Sequence, residues 1–185
     1  WAASIRVRKG QPRAESIATF TAKGNPSLSH MRRALDLAQL ALGSVSPNPA
    51  VGAVVVRDGN VVGEGFTQPA GQAHAEIVAL TQAGDQAKGA TMYVTLEPCN
   101  HTGRTPPCTQ ALIQAGIKEV HYSITDPNPL VNGKSSLEMK QRDVNVVTGE
   151  EEETSRKLIE AYLKFTTTRL PFITVKFAAS LDGKI

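Results

Sequence analysis

His74-Ala75-Glu76 and, 20 residues further on, Glu97-Pro98-Cys99-Asn100-His101-Thr102-Gly103-Arg104-Thr105-Pro106-Pro107-Cys108 form the stretch around which this chain is organised. It contains both cysteines of the protein and two of its four histidines. The two cysteines could form a disulfide. However, no secretory hydrophobic segment precedes the fold, and a histidine and a glutamate stand before the cysteines at ligand-like spacing, so we expect a metal site.

One imidazole and two thiolates, from His74, Cys99 and Cys108, are good ligands for Zn²⁺ and leave the fourth tetrahedral position open. Glu76 follows the histidine by two residues and is free to take a proton from water in that position. A structural zinc site is closed by four protein ligands. The pattern therefore favours a hydrolytic metal centre with Glu76 as the catalytic acid–base.

Composition excludes several classes of protein. The chain has 185 residues, of which 41% are hydrophobic and 20% charged, and its formal net charge is +3. These values are typical of a globular protein. No apolar run reaches the roughly 18 residues that a membrane span needs. No concentrated stripe of lysine and arginine is present, which argues against nucleic acid as a partner. A mildly basic chain suits a phosphorylated small molecule.

Residues 1–29 do not read as part of the fold. They contain five basic residues against the single acid Glu15, with no sustained apolar period. We expect an N-terminal extension without a fold of its own. The alternative is a transit peptide, because such peptides are rich in arginine and serine and poor in acids.

Strands alternate with helices over most of residues 50–147, which predicts an α/β fold whose sheet has helices on both faces. The sheet should be mixed, because Asp58-Gly59 between two β-branched runs predicts an antiparallel hairpin. Hydrophobic periodicity predicts strands over 51–56, 61–66, 91–96, 118–125, 144–147 and 171–177. It predicts helices over 30–42, 74–83, 107–115, 135–142 and 150–165.

Two loops stiffened by proline carry further candidate residues. Asn48 lies between Pro47 and Pro49, and its amide could read the edge of a pyrimidine. Asp126-Pro127-Asn128-Pro129 follows a strand, where ligands of α/β sheets bind. Both loops could instead be ordinary turns.

Four motifs in order resemble the deaminase domain of the bifunctional deaminase/reductases of riboflavin biosynthesis, the RibD family. They are Pro47-Asn48-Pro49-Ala50-Val51-Gly52, His74-Ala75-Glu76, the stretch from Glu97 to Cys108, and Asp126-Pro127-Asn128-Pro129. The general zinc deaminase signature pairs H-x-E with P-C-x-x-C. Here the second cysteine comes nine residues after the first. The resemblance covers residues 31 to about 167, and the tail from Pro171 resembles the opening strand of the family's reductase domain, including Ser180-Leu181-Asp182-Gly183.

The resemblance implies a three-layer α/β/α cytidine-deaminase-like fold with a mixed central sheet. It implies zinc-dependent hydrolytic deamination of 2,5-diamino-6-ribosylamino-pyrimidinone 5′-phosphate, one Zn²⁺ per chain, and a homo-oligomer. His74, Cys99 and Cys108 match the family's zinc ligands and Glu76 its proton shuttle. The matched substrate-binding positions are Asn48, His101, Arg104, Asp126 and Asn128.

The resemblance also divides the chain into the extension 1–29, a deaminase domain over 30–167, and a linker with the first strand of a truncated reductase domain over 168–185. NADPH is expected only if a complete reductase domain follows. The chain departs from the family pattern at Gly133-Lys134-Ser135, where Gly-Lys-Gly is expected, and 133–145 is unusually polar. We expect a cytoplasmic protein, or an organellar one if 1–29 is a transit peptide. Deamination of another nucleoside, nucleotide or tRNA base is the nearest alternative, and a non-catalytic structural zinc module is another.

Overall fold

A computed structural model describes residues 29–176, 178 and 180. The expected N-terminal extension therefore lies outside the described residues, except for Ser29. The helices are α1 (His30–Ala41), α2 (Ala75–Ala83), α3 (Cys108–Gln114), α4 (Lys134–Lys140), α5 (Glu152–Leu158) and α6 (Glu160–Thr168). The strands are β1 (Gly52–Arg57), β2 (Asn60–Phe66), β3 (Thr91–Leu96), β4 (Glu119–Ile124) and β5 (Asn145–Thr148).

The five strands form one mixed sheet in the order β2-β1-β3-β4-β5. Strand β1 is antiparallel to both β2 and β3, whereas β3, β4 and β5 are parallel to one another. Asp58 and Gly59 both have positive φ, 50° and 77°, as a two-residue hairpin turn with the twist of its strands requires. The predicted hairpin and the mixed sheet are confirmed.

Strand β1 is buried on both faces, as its apolar run predicts. Val54 and Val56 belong to a core that includes Met31 of α1. Ala53 and Val55 belong to the larger core on the other face, with residues of α2 and α3. The sheet therefore lies between two layers of helices, and the expected three-layer α/β/α fold is confirmed.

Helix α2 packs unusually close to β2 because the strand presents glycines to it. A Cβ atom at Gly65 would lie 2.6 Å from the backbone nitrogen of Ala79 and 2.7 Å from Val78 Cβ, and it would collide with the Ala75 carbonyl oxygen. A Cβ atom at Gly63 would likewise collide with the Ala79 carbonyl oxygen, and it would lie 2.9 Å from the Cβ of Ala83. Glycine on the strand and alanine on the helix thus fix the position of α2, and with it the position of His74.

Two predictions near the C-terminus are wrong. The single helix predicted over 150–165 is two helices, because Ile159 leaves the helical conformation (φ −113°, ψ 27°) and its side chain is buried in the core. The strand predicted over 171–177 does not form in residues 171–176. They are exposed and pair with no described strand, although their composition favours β structure. Phe177 and the Leu181-Asp182-Gly183 part of the tail motif lie outside the described residues.

None of the helices in the described part of the chain combines the length and the apolar character that crossing a bilayer demands. The longest of them, α1, has 12 residues and is polar on one side.

We predict that Gly65→Ala lowers the free energy of unfolding by about 1–3 kcal/mol, because the added methyl group must push α2 away from the sheet. The midpoint of urea denaturation measures this change. Gly103→Ala is the matched control, since a Cβ there would meet only His101 Nε2, at 4.0 Å. Equal midpoints for the two variants would contradict the close packing of α2 on β2.

Candidate metal centre

Three chain segments bring the predicted metal ligands together. His74 is the residue immediately before α2, and Cys108 is the first residue of α3. Cys99 lies in the loop that follows β3. Both helices therefore direct their N-terminal backbone N–H groups and the positive ends of their dipoles toward the cluster, where these favour thiolate over thiol.

The geometry of the cluster fits a tetrahedral zinc ion. His74 Nδ1 lies 3.6 Å from Cys99 Sγ and 3.3 Å from Cys108 Sγ, and all three ligand atoms lie within 4.8 Å of one another. Tetrahedral Zn²⁺ with ordinary Zn–N and Zn–S bonds places nitrogen and sulfur about 3.6 Å apart. Both cysteines are free thiols, so the two sulfurs are not joined. Among residues 29–176 no fourth protein ligand joins the cluster. Three soft or borderline donors of this kind are the donor set of a catalytic zinc site.

The surroundings of the two sulfurs favour, at Cys99, the thiolate form that binds a metal. The neighbouring Cys108 thiol and the His74 ring hold the pKa of Cys99 well below its usual range. The Cys99 sulfur and burial raise the pKa of Cys108. The backbone N–H of Cys108 also donates to Cys99 Sγ, at 3.4 Å. Cys99 therefore presents the thiolate that a zinc ligand must be.

Thr105 orients the histidine ligand. Its Oγ1 lies 3.4 Å from His74 Nε2, the ring nitrogen that faces away from the sulfurs. A polar partner on the second nitrogen fixes the ring orientation and leaves Nδ1 free to bind a metal. Sequence reasoning did not identify Thr105, because a threonine before two prolines gives no signal of its own.

Glu76 lies in the first turn of α2 and is only 4% exposed. Burial, with a smaller contribution from the Cys99 thiolate, raises the pKa of Glu76 to about 7. A carboxyl group with such a pKa can both accept and donate a proton near neutral pH. It lies beside the metal cluster and lines the same cavity.

A cavity of about 350 Å³ opens onto the cluster. The structure brings eight of the nine predicted site residues to its wall, and Cys108 is fully buried behind them. The eight are Asn48, His74, Glu76, Cys99, His101, Arg104, Asp126 and Asn128. The loops after the parallel strands β3 and β4 supply most of these residues, because the carboxyl ends of parallel strands lie at one edge of a sheet.

Three of these side chains offer unused polar groups. Within residues 29–176, the Asn48 amide and the Arg104 guanidinium make no side-chain hydrogen bond or ion pair, and Arg104 is exposed at the cavity. His101 Nδ1 is buried without a hydrogen-bond partner among the same residues. A planar unpaired cation at the rim of a cavity suits an oxyanion such as a phosphate.

Asp126 is held by a residue that sequence reasoning missed. Tyr162 of α6 donates its hydroxyl to Asp126 Oδ1 and Oδ2, at 3.0 and 3.1 Å. The Asn128 backbone N–H also donates to Oδ1, at 2.9 Å. Burial raises the pKa of Asp126, and these donors counteract that effect. Tyr162 could not be recognised from its sequence position, because the helix predicted over 150–165 gave no sign of the break at Ile159 that precedes it.

Glu97 is a second missed residue on the cavity wall. It is 3% exposed, and its Oε2 accepts the backbone N–H groups of Asp126, at 3.2 Å, and Gly133, at 3.0 Å. The sequence did carry a signal. Glu97 stands at the end of an apolar strand and close to a metal ligand, where a side chain is expected to be buried, and acids are rarely buried unless they are paired.

Residues 25–124, more than half of the chain, match the family described as the cytidine and deoxycytidylate deaminase zinc-binding region. This match spans all three cluster residues and Glu76.

The chain is also similar, over most of its own length, to longer proteins. The riboflavin biosynthesis protein RibD of Synechocystis is 54% identical over 157 residues, which are 85% of this chain and 43% of that protein. The chloroplastic riboflavin biosynthesis protein PYRD of Zea mays is 53% identical over 156 residues, 84% of this chain and 40% of that protein. The chain thus spans less than half the length of these relatives.

A solved structure shows the same fold. The diaminohydroxyphosphoribosylaminopyrimidine deaminase/5-amino-6-(5-phosphoribosylamino)uracil reductase of Thermotoga maritima is 44% identical and superimposes with a TM-score of 0.77. The match covers 82% of this chain and 44% of that one.

We predict that His74→Ala and Cys99→Ser each reduce bound zinc from about one ion per chain to a small fraction, because two ligands rarely retain the metal. Elemental analysis of the dialysed proteins measures the ratio. His30→Ala is the control, since His30 begins α1 and does not line the cavity. Full zinc content in both ligand variants would mean that other residues bind the metal.

Proposed function

The chain belongs to the cytidine and deoxycytidylate deaminase family, and on this premise we propose that it deaminates 2,5-diamino-6-ribosylamino-pyrimidinone 5′-phosphate by hydrolysis. The observation that carries the proposal is the His74, Cys99 and Cys108 cluster beside the buried Glu76 in one cavity. The names of the similar proteins from Synechocystis and Thermotoga maritima support the substrate and its place in riboflavin biosynthesis.

His74, Cys99 and Cys108 hold the zinc ion in this proposal. Bound zinc supplies a Lewis acid that makes water a nucleophile near neutral pH. Glu76 takes a proton from the attacking water as a C–O bond forms at the amine-bearing carbon of the pyrimidine. It delivers this proton to the ring nitrogen, then takes the second proton of the same water from the newly added hydroxyl group and delivers it to the amine. A C=O bond forms, the C–N bond breaks and ammonia leaves. The Glu76 pKa of about 7 suits both directions of transfer.

The remaining predicted residues bind the substrate. The free amide of Asn48 is suited to the donors and acceptors of the pyrimidine edge. Arg104 and His101 lie on the loop between the two cysteines, and their unpaired groups suit the phosphate and the ribose. Asp126, which Tyr162 and the Asn128 backbone N–H hold in place, and Asn128 also line the cavity.

Several further assignments belong to the same proposal. The deaminase unit is residues 30–167, which the continuous set of elements from α1 to α6 supports. Residues 168–185 lead toward a reductase domain that would use NADPH if complete.

The protein forms a homo-oligomer, which light scattering of the purified chain tests. It acts in the cytoplasm or, if 1–29 is a transit peptide, in an organelle; the Zea mays relative is named as chloroplastic.

We predict that Glu76→Gln retains zinc but lowers kcat by about 10²–10⁴-fold, because an amide cannot carry the proton in either direction. Ammonia release from the ribosylaminopyrimidine phosphate, together with elemental analysis, measures both properties. Glu153→Gln makes the same chemical change at an exposed position of α5 and should behave as wild type. Undiminished turnover in Glu76→Gln would remove Glu76 from the mechanism.

The substrate assignment is tested by comparing ammonia release from this compound with release from cytidine and deoxycytidylate. We expect turnover of the ribosylaminopyrimidine phosphate alone. Preference for either of the other two would reassign the chain within the deaminase family. Bound zinc without turnover of any of the three would favour a structural zinc module.

A further inference from the structure

Glu97 is a buried acid on the cavity wall to which the reaction above gives no role. It follows the last residue of β3 and precedes the proposed ligand Cys99 by two positions. Its side chain is 3% exposed and contributes to the same cavity as Glu76. Buried acids are costly unless hydrogen bonds or charges compensate them, so the partners of each carboxylate oxygen indicate what the residue does.

One oxygen of Glu97 is fully engaged. Oε2 accepts two backbone N–H groups, from Asp126 at 3.2 Å and from Gly133 at 3.0 Å. These two donors lie at either end of the loop that carries Asn128. They fix the orientation of the carboxylate and tie the loop after β4 to the end of β3.

The other oxygen has no partner. Oε1 is buried, and it makes no hydrogen bond to any residue in the described part of the chain. The side chain of the nearby acid Asp126 does not serve as its donor, because its hydrogen bonds go to Tyr162 and to the Asn128 backbone N–H. Native proteins rarely leave a buried acceptor unsatisfied, and a binding site is one place where they do, because the ligand supplies the missing donor.

We propose, on the basis of the proposed function, that Glu97 is a specificity-determining residue whose Oε1 accepts a hydrogen bond from an N–H or O–H group of the ribosylaminopyrimidine phosphate. A compound that lacks a donor at this position leaves the buried oxygen unpaired, and a site of this kind rejects such compounds strongly. The assignment divides the carboxylate between two tasks. Oε2 positions the loop that carries Asp126 and Asn128, and Oε1 reads the ligand.

Glu97→Gln separates the two tasks. The N–H groups of Asp126 and Gly133 require an acceptor, so they will hold the amide oxygen at the Oε2 position. The amide NH₂ group then occupies the Oε1 position and replaces the acceptor with a donor. We expect kcat/KM for the ribosylaminopyrimidine phosphate to fall at least about tenfold. The affinity for its deaminated product, measured by calorimetry, should fall in parallel. Zinc content and thermal midpoint should remain those of wild type.

Glu119→Gln is the matched control, because Glu119 is a hydrogen-bonded acid on β4 that does not line the cavity. Wild-type kinetics and product affinity in Glu97→Gln would overturn the proposal and leave Glu97 only its role in the loop. Failure of the wild-type protein to release ammonia from this substrate would instead overturn the proposed function, and the assignment of Oε1 with it.

A crystal structure of the wild-type protein with the deaminated product provides a test that does not depend on a variant's folding. We expect a ligand nitrogen or oxygen within about 3.2 Å of Glu97 Oε1. A water molecule in that place, or an oxygen still without a donor, would contradict the proposal.

Discussion

The site depends on a close approach of two helix N-termini that are far apart in the sequence. His74 precedes α2 and Cys108 opens α3, yet His74 Nδ1 and Cys108 Sγ are 3.3 Å apart. Backbone N–H groups and helix dipoles that converge on one point stabilise negative charge there. The thiolate of Cys99 completes this arrangement. The electrostatics of the fold therefore prepare the place where a zinc ion, two thiolates and a developing negative charge on the substrate would all lie.

The parallel half of the sheet supplies the remaining groups. Strands β3 and β4 end side by side, so the loops that begin at Glu97 and Asp126 start in direct contact and both line the cavity. Helix α6 then returns over this edge and supplies Tyr162, which donates to both oxygens of Asp126. Acidic groups so close together are tolerated because backbone and hydroxyl donors satisfy most of their oxygens. The cavity thus has a polar wall whose orientation is set before any ligand arrives.

Local chemistry made much of this predictable from sequence. Short-range rules apply to the Asp58-Gly59 turn, to the buried run of β1 and to the H-x-E and cysteine motifs. From these features we predicted the hairpin, the three-layer fold and the family.

The features that could not be predicted depend on contacts between residues that are distant in the sequence. Glu97 reaches Gly133 and Asp126 reaches Tyr162, each across 36 positions. Hydrophobic periodicity predicted one continuous helix over 150–165, because a buried Ile159 has the same apolar character inside a helix as at a break. The mostly apolar residues 171–176 were predicted as a strand, although β structure needs a neighbouring strand and none of the described strands pairs with them.

The contact between α2 and β2 has a further consequence. Its closest points join glycine backbone to alanine backbone and methyl groups, which have no rotamers to exchange among. Warming cannot loosen this contact gradually, as it would loosen one made of long side chains. The spacing between imidazole and sulfurs should therefore stay nearly constant up to the temperature at which the sheet itself comes apart, so that loss of metal geometry and loss of the fold become a single cooperative event.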